Sequence, residues 1–447
     1  MKQTRRFLGL IAAALLTTSA WAQTMTFTYA DGATATASEM ADGAWLMQLP
    51  AGTDLNAAIT GVKVNGTTVD ATAVVPNPTE TFITEGEIET FVYDGKAYSF
   101  RFLAGEYFTA VFFSDPHVDT DDIKNTLATQ VNNMLNMNKP GGKVVTFTKA
   151  PKGYVATPDI AFCLGDMDED KEKDASSPGQ YYKDATAAFN TAGIPFITLL
   201  GNHDLAPDYW TGENGDAGLN WGINDGGSYF NDKSIAIVKE HIAQAQTNGI
   251  SEFNVFRDAD LDCDVQIEPF AFKFKGVRFY VGHTYWFHKP YDKPGLSGGT
   301  KYYAPDGVIE ALDTYVNEHK DEPSVWMQHY PFVSEADTKN ARWWLDQNDV
   351  GRCIMPTDAN NSAYYNNGTN VKYDTEEGIA LANKKRDALA TIINKTKNPV
   401  HFSGHVHKYD EQTYQGIKDY SVAQPGNAFV VLCKEGEGAI EVLRVTF

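Results

Sequence analysis

The chain has 447 residues, too many for one small core, so it reads as two domains or one large domain with an appendage. A hydrophobic fraction of 43% and a charged fraction of 21% are those of a globular protein and exclude a disordered or fibrous chain. The formal net charge of −21, with no Lys/Arg cluster to offset it, argues against nucleic acid as a partner, because such a field repels a polyanion.

The N-terminus reads as an export signal. Lys2, Arg5 and Arg6 precede the apolar run Phe7 to Leu16, and Ala20-Trp21-Ala22 fits the small-x-small cleavage pattern. Residues 1–22 are therefore expected to be a bacterial signal peptide, which places the mature chain in the periplasm or outside the cell. The run is too short to span a bilayer, and no later stretch reaches spanning length, so no stable membrane insertion is expected. Cleavage removes three positive and no negative residues, leaving −21 − 3 = −24. An anionic substrate then needs a local cation, which metal ions would supply. Of the four cysteines, Cys163 lies in an apolar run and reads as a buried small residue; Cys263 and Cys353 are a candidate disulfide pair in an exported chain.

Residues 23–107 read as a small all-β domain. Met25 to Tyr29, Val62 to Val64 and Ala97 to Phe102 alternate, and Asp31-Gly32, Asn65-Gly66 and Asp94-Gly95 are hairpin turn pairs. The segment has no His and no Cys, so no chemistry is assigned to it. Residues 108–447 alternate strands and helices. Strands are expected at Phe108 to Phe113, Asp159 to Leu164, Ile194 to Leu200, Val277 to Val281, Ser324 to Gln328 and Val400 to Phe402. Helices are expected at Ile123 to Leu135, Tyr181 to Ala192, Ile309 to His319 and Glu377 to Lys395. Such alternation predicts α/β layers around a sheet.

The chemistry lies where the strands stop. Asp115-Pro116-His117, Gly165-Asp166, Gly201-Asn202-His203-Asp204, His329-Tyr330-Pro331 and Gly404-His405-Val406-His407 each follow an expected strand. Ligands of α/β sheets bind at the carboxyl ends of strands. A lone histidine is ordinarily a core or surface residue, but five of the ten sit at these ends: His117, His203, His329, His405 and His407. Imidazole and carboxylate select Mn, Zn, Fe and related ions. Asp115, His117, Asp166, Asn202, His329, His405 and His407 exceed what one tetrahedral zinc needs and suit two ions that share a carboxylate.

In order and spacing these five blocks resemble the calcineurin-like metallophosphoesterases, over roughly residues 108 to 410. Gly-Asn-His-Asp together with Gly-His-Val-His is specific; Gly-Asp alone is weak. The resemblance implies a four-layer αββα sandwich and a dinuclear centre. It implies Asp115, His117 and His407 on one divalent ion and Asn202, His329 and His405 on the other, with Asp166 bridging. Purple acid phosphatases, a related branch, carry a Tyr three residues after the bridging Asp; Glu169 stands there in this chain, so no purple chromophore is expected.

The expected reaction is hydrolysis of a phosphomonoester or phosphodiester by a metal-bridging hydroxide, with His203 as general acid or charge stabiliser and Asp204 orienting its ring. His283, Tyr285 and Trp210 are candidate contacts to a small phosphoester substrate, lying in aromatic-rich loops. Asp258, Asp260, Asp262 and Asp264 alternate like a calcium loop, but Cys263 stands where an EF-hand needs Gly and Pro269 where it needs Glu, so the segment reads as a solvated acidic loop. The alternative is a catalytically silent, secreted, metal-containing ligand-binding or adhesion protein. A complete ligand set with His203 disfavours it.

Overall fold

A computed structural model describes residues 25–30, 36–49, 53–56, 59–118, 120–167, 179–201, 204, 232–256, 268–282, 306–332 and 376–447. The expected signal segment, the turn pair Asp31-Gly32, the acidic loop from Asp258 and both Cys263 and Cys353 lie outside these residues. The chain forms two compact units. One runs up to Glu106 and includes Asn138–Gly141 and Pro151–Val155; the other comprises Tyr107–Met137, Gly142–Ala150 and Ala156–Phe447.

The first unit contains β1 (Met25–Tyr29), β2 (Thr36–Glu39), β3 (Trp45–Leu49), β4 (Ile59–Val64), β5 (Thr67–Val69), β6 (Ile88–Tyr93) and β7 (Lys96–Ala104). They form two sheets, β1-β4-β5 and β2-β3-β7-β6. Alternation in β1 buries Met25, Phe27 and Tyr29 on one face. The Phe27 ring lies 5.2, 5.1 and 5.6 Å from those of Phe91, Phe100 and Phe102, so the sheets share an aromatic core. Asn65-Gly66 (φ 51° and 77°) and Asp94-Gly95 (φ 49° and 74°) make the turns their sequence predicts, since both residues of such a hairpin turn need positive φ.

The second unit is a mixed α/β structure. Its strands are β8 (Tyr107–Phe113), β9 (Pro158–Cys163), β10 (Phe196–Thr198), β11 (Ser251–Val255), β12 (Phe270–Phe274), β13 (Val277–Val281), β14 (Pro323–Met327), β15 (Lys397–Ser403), β16 (Asp410–Tyr414), β17 (Ile417–Ser421), β18 (Asn427–Lys434) and β19 (Gly438–Thr446). Its described helices are α1 (Asp121–Leu135), α2 (Gln180–Thr191), α3 (Asp232–Thr247), α4 (Asp306–Glu318) and α5 (Glu376–Ile393). One sheet has the order β10-β9-β8-β18-β19 and the other β11-β12-β13-β14-β15-β17-β16. Phe112 of β8 stacks on Phe402 of β15 at 4.1 Å, and Phe162 of β9 on Phe279 of β13 at 5.3 Å, so the sheets meet through phenylalanines. Residues of α4 and α5, among them Leu312, Val316, Leu389 and Ile393, pack with Tyr280 and Trp326 of the seven-stranded sheet. Phe189 of α2 packs on Phe196 of β10 at 4.8 Å. No described helix is long and apolar enough to cross a membrane.

The pairings β8/β9 and β14/β15 are parallel, which puts their carboxyl ends side by side. Helix α1 starts at Asp121, two residues before its apolar pattern does. Thr120 caps it by accepting the Ile123 N–H, and Asp121 and Asp122 oppose the positive end of the helix dipole. The strand expected over Ile194 to Leu200 shrinks to Phe196–Thr198, because the Leu200 N–H turns to the Glu268 carboxylate at 2.8 Å. Helix α3 and strands β11, β12 and β16 to β19 go beyond the elements expected from sequence. Among them β18 is the antiparallel neighbour of β8 inside its sheet.

A buried polar chain ties α2 and α3 to β10: Tyr182 Oη lies 2.8 Å from Thr198 Oγ1, which lies 2.9 Å from His241 Nδ1. Burial pushes the His241 imidazole down to about 4. An unfolded histidine takes its proton near ~6.5. The unfolded state therefore binds more protons between ~6.5 and about 4, and the contribution of His241 is complete above that window and lost as pH falls through it. The loss amounts to ~3 kcal/mol by pH 4. Urea titrations from pH 7 to 4.5 should show falling stability, with a shallower fall in His241→Asn. An identical slope in the variant would remove His241 as the cause.

Candidate metal centre

Each described ligand candidate sits just beyond a strand end, and most sit on strained backbone. Asp115 (φ 53°), His117 (φ 43°), Asp166 (φ 54°), His405 (φ 68°) and His407 (φ 56°) are all left-handed. Non-glycine residues occupy that region at a cost and only where their surroundings over-determine them. The surroundings do so here. The N–H groups of Asp115, His117 and Val118 donate to the carbonyls of Gly165, Asp166 and Met167 at 3.1, 3.0 and 3.0 Å, locking the loop after β8 to the loop after β9. Gly404 N–H donates to the His329 carbonyl at 2.9 Å, locking the loops after β14 and β15. The His405 N–H reaches both oxygens of Asp115 at 3.0 Å, joining the two sets.

The motif glycines are required by space. A Cβ on Gly165 would lie 2.7 Å from both Gly201 N and His329 Nδ1. One on Gly201 would collide with the Asp166 carboxylate, and one on Gly404 with Ser114 Oγ.

These loops converge the side chains into two groups. Asp115, His117, Asp166 and His407 offer donor atoms within 4.8 Å of one another, and so do Asp166, His329 and His405; Asp166 belongs to both. His117 Nε2 and His407 Nε2 are 3.1 Å apart, and His407 Nε2 is 3.2 Å from Asp115 Oδ1. His329 Nε2 is 3.2 Å from Asp166 Oδ2, while its Nδ1–H donates to the Leu164 carbonyl at 2.8 Å, which turns Nε2 toward the centre. Asp115, Asp166 and His329 are fully buried and His117 nearly so. Convergent imidazole nitrogens and buried carboxylates fit a divalent cation. Burial alone would depress the basicity of His329, but the charges of Asp166 and Asp115 override it and push it up to about 9. His407 is shifted upward in the same way: burial opposes, and the hydrogen bond and charge of Asp115 prevail. A cation bound here would replace those protons.

Asp204 is buried, and its carboxylate accepts three backbone N–H groups: Asp166 at 2.8 Å, Met167 at 2.9 Å and Gly201 at 2.6 Å. It therefore ties the backbone at Asp166 and Met167 to that at Gly201, a role the sequence does not announce. Asn202 and His203 themselves, like His283, Tyr285, Trp210 and Glu169, lie outside the described residues. Gln424, with its side-chain amide 2.7 Å from His407 Nδ1, was not expected; no motif marks it. Cys163 and Cys433 are buried thiols outside any disulfide; burial suppresses their ionisation, and neither belongs to the two donor groups.

No family model and no curated protein matches the sequence. Among solved structures the chain resembles a dimetal phosphatase from Danio rerio, at 10% identity and a TM-score of 0.37, over 76% of this chain and 99% of that one. It also resembles a Staphylococcus aureus protein assigned as a 5'-nucleotidase, at 13% identity and a TM-score of 0.36, over 76% of this chain and 54% of that one. A third likeness is to GAP50, the anchor in the inner membrane complex of Plasmodium, at 12% identity and a TM-score of 0.31, over 76% of this chain and 89% of that one. At such scores the likeness is loose, and the chemistry rests on the residues of this chain.

Proposed function

We propose that the protein hydrolyses a small phosphomonoester or phosphodiester at a centre of two divalent ions, Mn, Zn or Fe. The observation that carries this reading is the Asp166 carboxylate common to two convergent donor groups. In this reading Asp115, His117 and His407 hold one ion, and Asn202, His329 and His405 the other. Bound ions would supply a nucleophile from water near neutral pH and offset charge on the phosphoryl oxygens. His203 delivers a proton to the leaving oxygen, in a segment bracketed by Gly201 and Asp204, whose backbone and carboxylate are joined. His283, Tyr285 and Trp210 contact the rest of the substrate.

The same proposal includes a four-layer αββα arrangement for residues 108–447, an all-β module over residues 23–107 and export to the periplasm or exterior. Contacts of α4 and α5 with one sheet, of α2 with the other, and of the two sheets through Phe112 and Phe402 support the layering. A mature N-terminus other than Gln23 would count against cleavage after Ala22.

The test is turnover of p-nitrophenyl phosphate and of bis(p-nitrophenyl) phosphate with Mn2+ or Zn2+ added. Turnover of at least one, abolished by chelation, is the expected result. Silence on both with two ions bound per chain would instead favour a non-catalytic ligand-binding protein.

A further inference from the structure

Asp419 on β17 is buried at 1% exposure and belongs to none of the motifs. Its Oδ2 accepts the Phe332 backbone N–H at 2.6 Å. Its Oδ1 accepts His401 Nδ1–H at 2.8 Å and the Ser403 hydroxyl at 3.2 Å. Phe332 is three residues beyond His329, and Ser403 is two residues before His405. One carboxylate thus grips both segments that carry these two histidines.

The grip is reinforced on each side. The Phe332 ring lies 4.7 Å from that of His401 and 5.5 Å from that of Tyr414, and its carbonyl accepts from Arg386 Nη1 at 3.3 Å. Ser403 Oγ is also 2.8 Å from Ser421 Oγ. The backbone of Asp115 and His117 is held instead by the loop after β9, through the carbonyls of Gly165 and Asp166, while the Asp115 carboxylate also accepts the His405 N–H.

We infer that Asp419 is a positioning residue for the half of the centre formed by His329 and His405, an inference that rests on the metal-centre reading above. His405 sits at φ 68° and is restrained directly at its N–H by Asp115; Asp419 adds a second restraint on the same segment, at Ser403 two residues upstream. A buried carboxyl group that accepts a backbone N–H at 2.6 Å and two side-chain donors at once is a strong restraint, because losing any of these bonds would leave a buried polar group unpaired. Losing such an outer partner typically lowers metal affinity 10–100-fold. The loss should fall on the ion between His329, His405 and Asp166, and much less on the ion at Asp115 and His117.

The experiment titrates the full-length chain with Mn2+, following stoichiometry by elemental analysis and the metal pair by electron paramagnetic resonance. Wild type should take up two ions with a spin-coupled signal. Asp419→Asn keeps the shape but turns an amide N–H toward one of its donors. It should keep the first ion, bind the second 10–100-fold more weakly and show an isolated Mn2+ signal. Ser403→Ala, a milder change, should move in the same direction and serves if the first variant does not fold. Two ions bound as in wild type by both variants would overturn the inference alone, as would equal weakening of both ions alongside a lower melting temperature. A wild-type chain that binds no ion would overturn the metal-centre reading and this inference with it.

Discussion

Asp166→Ala is expected to strip at least one ion from the centre and to lower turnover by on the order of 10³, the several kcal/mol that a correctly placed cation contributes. Among the described residues Asp166 alone belongs to both donor groups, and its Oδ2 is 3.2 Å from His329 Nε2 and 3.8 Å from His117 Nε2. Removing it deprives both groups of a charge that no other described carboxylate supplies to both, since Asp115 belongs to the first group only. The backbone at position 166 is strained, with φ 54°, and is held by Asp204 through the Asp166 N–H. Asp166→Asn is therefore the companion variant: it keeps the side-chain volume and removes only the charge. Elemental analysis finding two ions per chain in either variant would end the case for a shared carboxylate.

His203→Ala should separate binding from chemistry. In the proposed mechanism His203 acts on the leaving group and is not a tight ligand, so the variant should retain both ions. It should lower kcat by roughly 10²–10⁴, the range for loss of a positioned acid. The deficit should be small for p-nitrophenyl phosphate, whose leaving group needs little protonation, and large for alkyl phosphates. An equal deficit across leaving groups would reassign His203 to stabilising charge on the phosphoryl oxygens. Unchanged kcat on every substrate would make it a structural residue and sink the mechanism.

The candidate ligands were legible because each strand that ends in a Gly or Pro turn writes its functional residue beside its own apolar run. Phe108 to Phe113 announces Asp115 and His117, and Asp159 to Leu164 announces Asp166. The three motif glycines carry information too, since neighbouring loops fill the space a Cβ would need at Gly165, Gly201 and Gly404. The expected division of the candidate ligands between two ions came from family resemblance and not from spacing. Asp204 was legible as a motif residue, but its three backbone bonds were not.

Apolar period, turn pairs and local motifs, read along the chain, determined which residue types stand at which strand ends and where about half of the described strands and most of the described helices lie. That information is local: a side chain at a strand end depends on its immediate neighbours. Only the tertiary structure decided which of those ends meet. His117 and His407 are 290 residues apart in sequence yet 3.1 Å apart at Nε2, because parallel pairing of β8 with β9 and of β14 with β15, and aromatic stacking between their sheets, bring four strand ends to one place. The same holds for Asp419 and Gln424. Neither carries a motif, and each gains its role from contacts that sheet pairing creates between distant segments, a pairing no local pattern encodes.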